Sequence, residues 1–275
     1  MDLTLDQLFA RLWDDYVAQN PQAAQIRAFL EARGERPVND HIALRSFGDP
    51  RLGIDALARA FVDRGYAPAG SYEFPEKRLR ARHYVHPEPG RPKVFISELE
   101  LDRCSPALAR RVTWLCDQID PAALRRDDLA VAGRLWPAIT ADEHASLAAE
   151  SEYAAWLAVF GLRANHFTIL VNALESVGSL EAMNALVRGA GIALNEAGGA
   201  IKGSPALLLE QSSTLAAPVV VALADREVVL PGCYYEFARR YPDAEGRLFG
   251  GFVPGSADRI FESTDRQEAR PDRRG

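Results

Sequence analysis

The chain has 275 residues, of which 48% are hydrophobic and 25% charged, ordinary proportions for a globular protein of one large domain or two small ones. Its 38 acidic residues against 32 basic ones give a net charge of −6, which argues against a nucleic-acid surface but allows a local basic pocket for an acidic substrate. The longest apolar run, Leu215 to Ala224, is interrupted by Pro218 and falls well short of the roughly 20 residues that span a bilayer.

The N-terminal Met1-Asp2-Leu3-Thr4-Leu5-Asp6 has no basic segment, so no secretory signal is expected and the chain is read as cytoplasmic. Cys104, Cys116 and Cys233 are odd in number and lack CxxC spacing, which reads as idle thiols in a reducing compartment. From Thr4 the pattern is helical, with Leu5, Leu8, Phe9, Leu12 and Trp13 on one stripe. Asn20-Pro21 breaks the run and a second helix ends near Gly34. His41-Ile42-Ala43-Leu44-Arg45 then predicts a strand, and Ile54 to Val62 a helix stopped by Gly65. Three further strands are expected over Tyr66–Phe74, Leu79–His86 and Lys93–Leu99, with prolines marking the turns.

Residues 105–160 read as helical, over Ala107–Ile119 and Ala141–Phe160. The first pattern then returns: a strand at Asn165–Asn172, a helix from Leu180 to Ala190 stopped by Gly191, and strands at Ile192–Asn195, Ala206–Gln211, Val219–Ala224 and Cys233–Arg239. The polar stretch 264–275 is expected to be disordered. The chain is therefore expected to form a single catalytic domain over 1–263. It contains two βαβββ modules, 38–100 and 164–240, with added helices in 1–37 and 105–160. The fold class is α+β, with a central curved sheet.

The internal repeat is the informative feature. His41 and His166 each head an apolar strand, each strand leads to a helix ending in glycine, and each module closes on a strand with a glutamate, Glu98 and Glu236. Alternation along a strand puts His41, Ala43 and Arg45 on one face, His166 and Thr168 on one face, and Tyr234 and Glu236 on one face. One sheet face can thus carry His41, His166 and Glu236, with small Ala43 and Thr168 leaving space for a ligand. Two histidines and a carboxylate match the facial-triad set for Fe(II), and Zn²⁺ can use the same donors. The competing reading is a pair of hydrogen-bonded core histidines, against which stands the cost of an unpaired buried carboxylate. Glu98, as the repeat counterpart of Glu236, is either a fourth ligand or an exposed strand-end residue. His83 and His86 lie three apart and face opposite sides of their strand. His144 is expected on an exposed helix, and Gly198–Ser204 as a turn rather than a phosphate loop, because it lacks the Gly-Lys-Ser/Thr order.

Asn39-Asp40-His41-Ile42-Ala43-Leu44-Arg45 with Phe47, Lys93-Val94-Phe95-Ile96-Ser97-Glu98-Leu99, Asn165-His166-Phe167-Thr168, Gln211-Ser212-Ser213-Thr214 and Phe261-Glu262-Ser263 together resemble the family once catalogued as domain of unknown function 1338. Its characterised members are 2-oxoadipate dioxygenase/decarboxylases, also called hydroxyglutarate synthases. The resemblance implies a vicinal-oxygen-chelate-like fold and Fe(II) held by His41, His166 and Glu236. It also implies a substrate-binding Arg45 and a substrate contact at Gly255. The reaction implied is 2-oxoadipate plus O₂ giving 2-hydroxyglutarate plus CO₂, a step of lysine catabolism, with one 2-oxo dicarboxylic acid serving as both reductant and target. A metal-dependent isomerase or lyase of the glyoxalase kind, or a non-catalytic small-acid-binding protein, are the alternatives on the same fold.

Overall fold

The computed structural model describes residues 3–253 and Gly255; the predicted tail and the Phe261-Glu262-Ser263 motif lie outside the described residues. Helices α1 (Leu5–Gln19) and α2 (Pro21–Glu31) come first, followed by β1 (Asn39–Phe47), α3 (Ile54–Val62), β2 (Ala67–Phe74), β3 (Leu79–Val85) and β4 (Lys93–Leu99). The middle segment holds α4 (Pro106–Asp117), α5 (Ala141–Glu150) and α6 (Glu152–Phe160). Then come β5 (Ala164–Leu170), α7 (Leu180–Gly189), β6 (Lys202–Ser204), β7 (Leu209–Ser213), β8 (Pro218–Ala222), β9 (Glu227–Pro231) and β10 (Tyr234–Arg240).

Eight strands form one curled sheet in the order β2-β3-β4-β1-β5-β10-β7-β6. Each half repeats the other. β1 pairs in parallel with β4 as β5 does with β10, and β3 and β7 then add antiparallel. The halves meet where β1 runs antiparallel to β5. This is the paired βαβββ plan expected from the repeat.

Local chemistry accounts for the elements. Thr4 closes a capping box with Gln7 at the start of α1, and Thr140 does so with Glu143 at α5. Gly65 ends α3 at φ 94°, with the ring of His86 where a Cβ would stand, 2.7 Å away. On the outer sheet face Ile42, Leu44, Val94, Ile96, Phe167 and Phe237 are fully buried, against a helical layer that includes Leu12, Tyr16, Leu57, Phe61 and Met183. Trp13 meets Phe167 edge-on at 5.1 Å. At roughly 1.5–3 kcal/mol for each large apolar side chain, this layer contributes a large share of the stability. The inner face at the middle of the sheet carries the buried polar groups of β1, β5 and β10.

Several expectations are corrected. The predicted helix Ala141–Phe160 is two helices, because Ser151 turns out of α5 and caps α6 through Ala154 N. Ile192–Asn195 is not a strand and makes a single bridge, Leu194 to Thr214. The strand expected from Ala206 begins at Leu209, after a 3₁₀ turn that ends with Leu208 at φ 60°. Val219–Ala222 stands outside the main sheet, paired with the unpredicted β9. Lys202–Ser204, read as part of a turn, forms the edge strand β6. His144 is buried, not exposed.

Candidate metal centre

β1, β5 and β10 are adjacent at the middle of the sheet, and their register sets the site. Thr168 is opposite His41 across the antiparallel pair, and Ala43 is opposite His166. Across the parallel pair, Tyr234 is beside His166 and Glu236 beside Thr168. His41, His166 and Glu236 therefore share the inner face, all three buried. Nε2 of His41 is 3.4 Å from Nε2 of His166 and 3.5 Å from Oε1 of Glu236, and Nε2 of His166 is 3.4 Å from Oε2 of Glu236.

The surroundings determine which atoms carry lone pairs. Asp40 Oδ2 lies 2.8 Å from His41 Nδ1. Burial alone would raise the Asp40 carboxyl, but the charge of Arg240 and hydrogen bonds from Arg240 and His41 hold it well below the usual range. An ionised carboxylate only accepts, so His41 Nδ1 carries a proton, which leaves Nε2 as the nitrogen that faces inward and can meet a cation. Asn165 Oδ1 takes the corresponding role at His166 Nδ1, at 3.2 Å. Burial first, then the positive charge that His41 carries when protonated and that of Arg45, pushes His166 well below its ordinary range, so its imidazole is neutral. Burial pushes Glu236 up, offset by His41 and by Gln211, whose Nε2 donates to Oε1 at 2.6 Å; a cation at the triad acts in the opposite direction on this carboxyl. Two lone-pair nitrogens and a carboxylate converging within 3.5 Å repel one another unless a proton or cation lies among them. Metal–ligand bonds of about 2.1 Å put donors about 3.0 Å apart at octahedral angles and about 3.4 Å apart at tetrahedral ones. The donor set and its spacing fit one divalent ion, with outer groups orienting each histidine.

Arg45 lies on the same face, four residues along β1. It is 2% exposed, so it is not a surface ion pair at a strand end. Its guanidinium carbon is 5.0 Å from the ring centroids of both Tyr153 and Trp156 on α6, a cation–π slot. The Tyr153 hydroxyl is held by Ser46 N and Ser97 O, at 3.0 and 2.9 Å. A cavity reaches Arg45 past Lys77, Arg78 and Glu152. Gly255 is exposed, three residues beyond Phe252, whose ring stands edge-on to His41 at 4.8 Å.

Glu98 is neither of the things the sequence suggested. It is buried, yet it points to the outer face, accepts from Ile54 N at 2.6 Å at the start of α3 and pairs with Arg80 at 2.5 Å. The residue in register with Glu236 is Phe95, beside Ala43 as Glu236 is beside Thr168. Glu98 is three positions further on, and an odd shift along a strand reverses the face. His83 and His86 do diverge: His83 bonds the Tyr72 hydroxyl at 2.9 Å, while His86 reaches Arg64 O. Sequence reasoning missed Asp40, Arg240 and Phe252. Arg240 had a signal, since it follows Glu236 by four residues on one strand; Phe252 had none, because it lies outside the repeat.

A family model described as 2-oxoadipate dioxygenase/decarboxylase matches residues 7–249. The chain belongs to that family. It is thus an enzyme of the oxygenase/decarboxylase kind. It is 35% identical to the chloroplastic 2-oxoadipate dioxygenase/decarboxylase of Arabidopsis thaliana, over 92% of this chain and 75% of the plant protein. The crystal structure of hydroxyglutarate synthase from Oryza sativa, in complex with 2-oxoadipate, superposes with a TM-score of 0.86 at 32% identity, covering 94% of this chain and 91% of that one. A protein of Shewanella frigidimarina, solved under the provisional name of a hydrolase, superposes at 0.88 with 46% identity over 92% and 99% of the two chains. A glyoxalase-superfamily protein of Ralstonia eutropha, 22% identical with a TM-score of 0.75, shares the fold, in keeping with the expected vicinal-oxygen-chelate-like architecture.

Proposed function

We propose that the protein is an Fe(II)-dependent dioxygenase/decarboxylase that converts 2-oxoadipate and O₂ to 2-hydroxyglutarate and CO₂, a reaction of lysine catabolism. The observation that carries this reading is the buried His41–His166–Glu236 triad in a chain of the 2-oxoadipate dioxygenase/decarboxylase family. In this reading His41, His166 and Glu236 would hold the ion. When bound, Fe(II) would supply redox and Lewis-acid chemistry at this site.

The chain's own residues bind and orient. Arg45 meets the distal carboxylate of the substrate. Its Cα is roughly 13 Å from that of His41 at ~3.3 Å per strand residue, a gap that the arginine and a six-carbon diacid together bridge. A guanidinium offers a planar, two-pronged donor to a carboxylate, and the Tyr153–Trp156 slot restricts the direction in which it points. Gly255 contributes a backbone contact to the same substrate. Thr168 Oγ1, 3.1 Å from His41 Nε2, places a hydroxyl beside the triad.

The test is stoichiometry. With 2-oxoadipate, anaerobically purified protein holding about one Fe(II) per chain is expected to consume O₂ and release CO₂ in equal amounts, with no added 2-oxoglutarate. Turnover under strict anaerobiosis overturns the oxygenase reading and favours an isomerase, lyase or hydrolase.

A further inference from the structure

Arg240 ends β10 four residues after Glu236, so strand alternation returns its side chain to the face of the triad. The side chain is 2% exposed, and all three of its nitrogens are engaged. Nε and Nη2 donate to Oδ1 and Oδ2 of Asp40 at 2.6 and 2.8 Å. Nη1 donates to the carbonyl oxygens of Phe249 and Gly251, both at 2.8 Å. The next residue, Phe252, lays its ring 5.3 Å from the guanidinium carbon and edge-on to His41. The backbone of Arg240 is fixed in turn by Asn172, which accepts from its N at 2.8 Å and donates to its O at 2.9 Å.

We propose that Arg240 is a positioning residue that couples the seating of the 249–252 segment to the orientation of His41. The inference rests on the reading of His41 as a metal ligand and adds how that ligand is held. Two parallel bonds from one guanidinium prevent the Asp40 carboxylate from turning about its Cβ–Cγ bond. The oxygen that faces His41 Nδ1 is thereby fixed, and with it the ring. The same guanidinium has one nitrogen left, and that nitrogen anchors the segment that brings Phe252 against the same ring. Lifting the segment leaves donors of a buried cation without acceptors, and turning Asp40 does the same from the other side. Opening this wall of the site and loosening the metal ligand are therefore one event. Lys93, whose Nζ is 4.0 Å from Asp40 Oδ1, offers a point charge there and not a second fork.

The experiment uses the full chain loaded with Co(II), with release to a chelator followed by the visible spectrum, together with chymotrypsin cleavage after Phe249 in the metal-free protein. Arg240→Lys is expected to release Co(II) at least about tenfold faster, the scale of outer-group effects on metal sites, and to be cleaved at least about tenfold faster. Phe252→Ala is expected to speed release in the parent and to add nothing in the Arg240→Lys background. Asp40→Asn leaves Arg240 in place, so it keeps the test available if Arg240→Lys does not fold, and coupling requires that it too exposes Phe249 to cleavage. Cleavage at the parent rate in Asp40→Asn, or additive effects of Arg240→Lys and Phe252→Ala on release, overturns the coupling. A parent chain that takes up no Co(II) overturns the metal reading instead, while the cleavage measurement still decides whether Asp40 and the segment are linked.

Discussion

Beside Thr168 in the second module stands Glu236; beside Ala43, the matching residue of the first, stands Phe95. The two halves share strand order, pairing and a leading histidine, but the inner face of the first is filled by aromatic rings. Phe252 packs 5.0 Å from Phe95, 5.2 Å from His83 and 5.9 Å from Tyr72, centroid to centroid. The corresponding place in the second half carries Glu236, with Gln211 and Ser213 on the neighbouring strand. One half thus contributes packing and a single candidate donor, and the other supplies the remaining two. A duplicated scaffold reaches one asymmetric centre by changing the residue beside the histidine strand, with no change of fold.

Exchanging roles is the largest way to break this contrast. Glu236→Ala is expected to lose the metal and to reduce turnover to background. Phe95→Ala is expected to keep the metal and cost about 3–5 kcal/mol of stability, as large-to-small core changes do. Metal analysis and denaturant unfolding read the two. If Glu236→Ala retains metal as the parent does, the division of labour between the halves is wrong.

Arg45 sharpens the comparison next, because its counterpart on β5 is the apolar Leu170. Arg45→Lys is expected to keep its metal but lose at least about 2 kcal/mol of transition-state binding, about 30-fold in kcat/KM on 2-oxoadipate. The loss should shrink on 2-oxo acids that lack a distal carboxylate. Parent-like kinetics on both substrates would remove Arg45 from the substrate site.

Glu98 supplies the third contrast. Glu98→Ala removes the acceptor for Ile54 N and the partner of Arg80, and is expected to cost about 2 kcal/mol of stability through the lost helix cap and an orphaned donor. Metal content should not change; a loss of metal comparable to that of Glu236→Ala would return Glu98 to the site.

The smallest effect concerns acidity in the filled half. Burial first, then the charges of Lys93, Arg240 and His41, hold His83 down at about 4 against an ordinary 6.5. The unfolded chain then binds the proton that the folded one refuses, so stability falls as the pH drops from about 6.5 toward 4. Between pH 6.5 and 5 the loss from this one group is roughly 1.5 kcal/mol. His83→Phe is expected to flatten that part of the stability profile, and an unchanged slope in denaturant unfolding at the two pH values counts against the assignment.

The repeat was legible because histidine, amphipathic helix, stop glycine and closing strand recur in order, and each is a local signal. Alternation placed His41, His166 and Glu236 on a definite face of each strand, but register between the strands was needed to bring those faces together. Glu98 misled for the same reason that Glu236 did not: both sit in closing apolar strands, and sequence order carries no register. Ser151 and β9 were missed because a one-residue helix break and a hairpin outside the main sheet disturb apolar periodicity very little. His144 was misjudged because a polar neighbourhood in sequence does not show what packs over a helix.

By itself the sequence determined most of the elements and the candidate ligands, since a period of two or 3.6 residues and a glycine stop are properties of neighbouring residues. Tertiary structure decided which glutamate faces the histidines, because hydrogen-bond register between strands brought together from distant parts of the chain determines it. It decided likewise that Asp40 and Arg240, 200 residues apart, meet behind His41, and that Phe252 closes the first module. Those contacts join residues far apart in sequence on a buried sheet face, where an unpaired charge is costly, and no local period relates them.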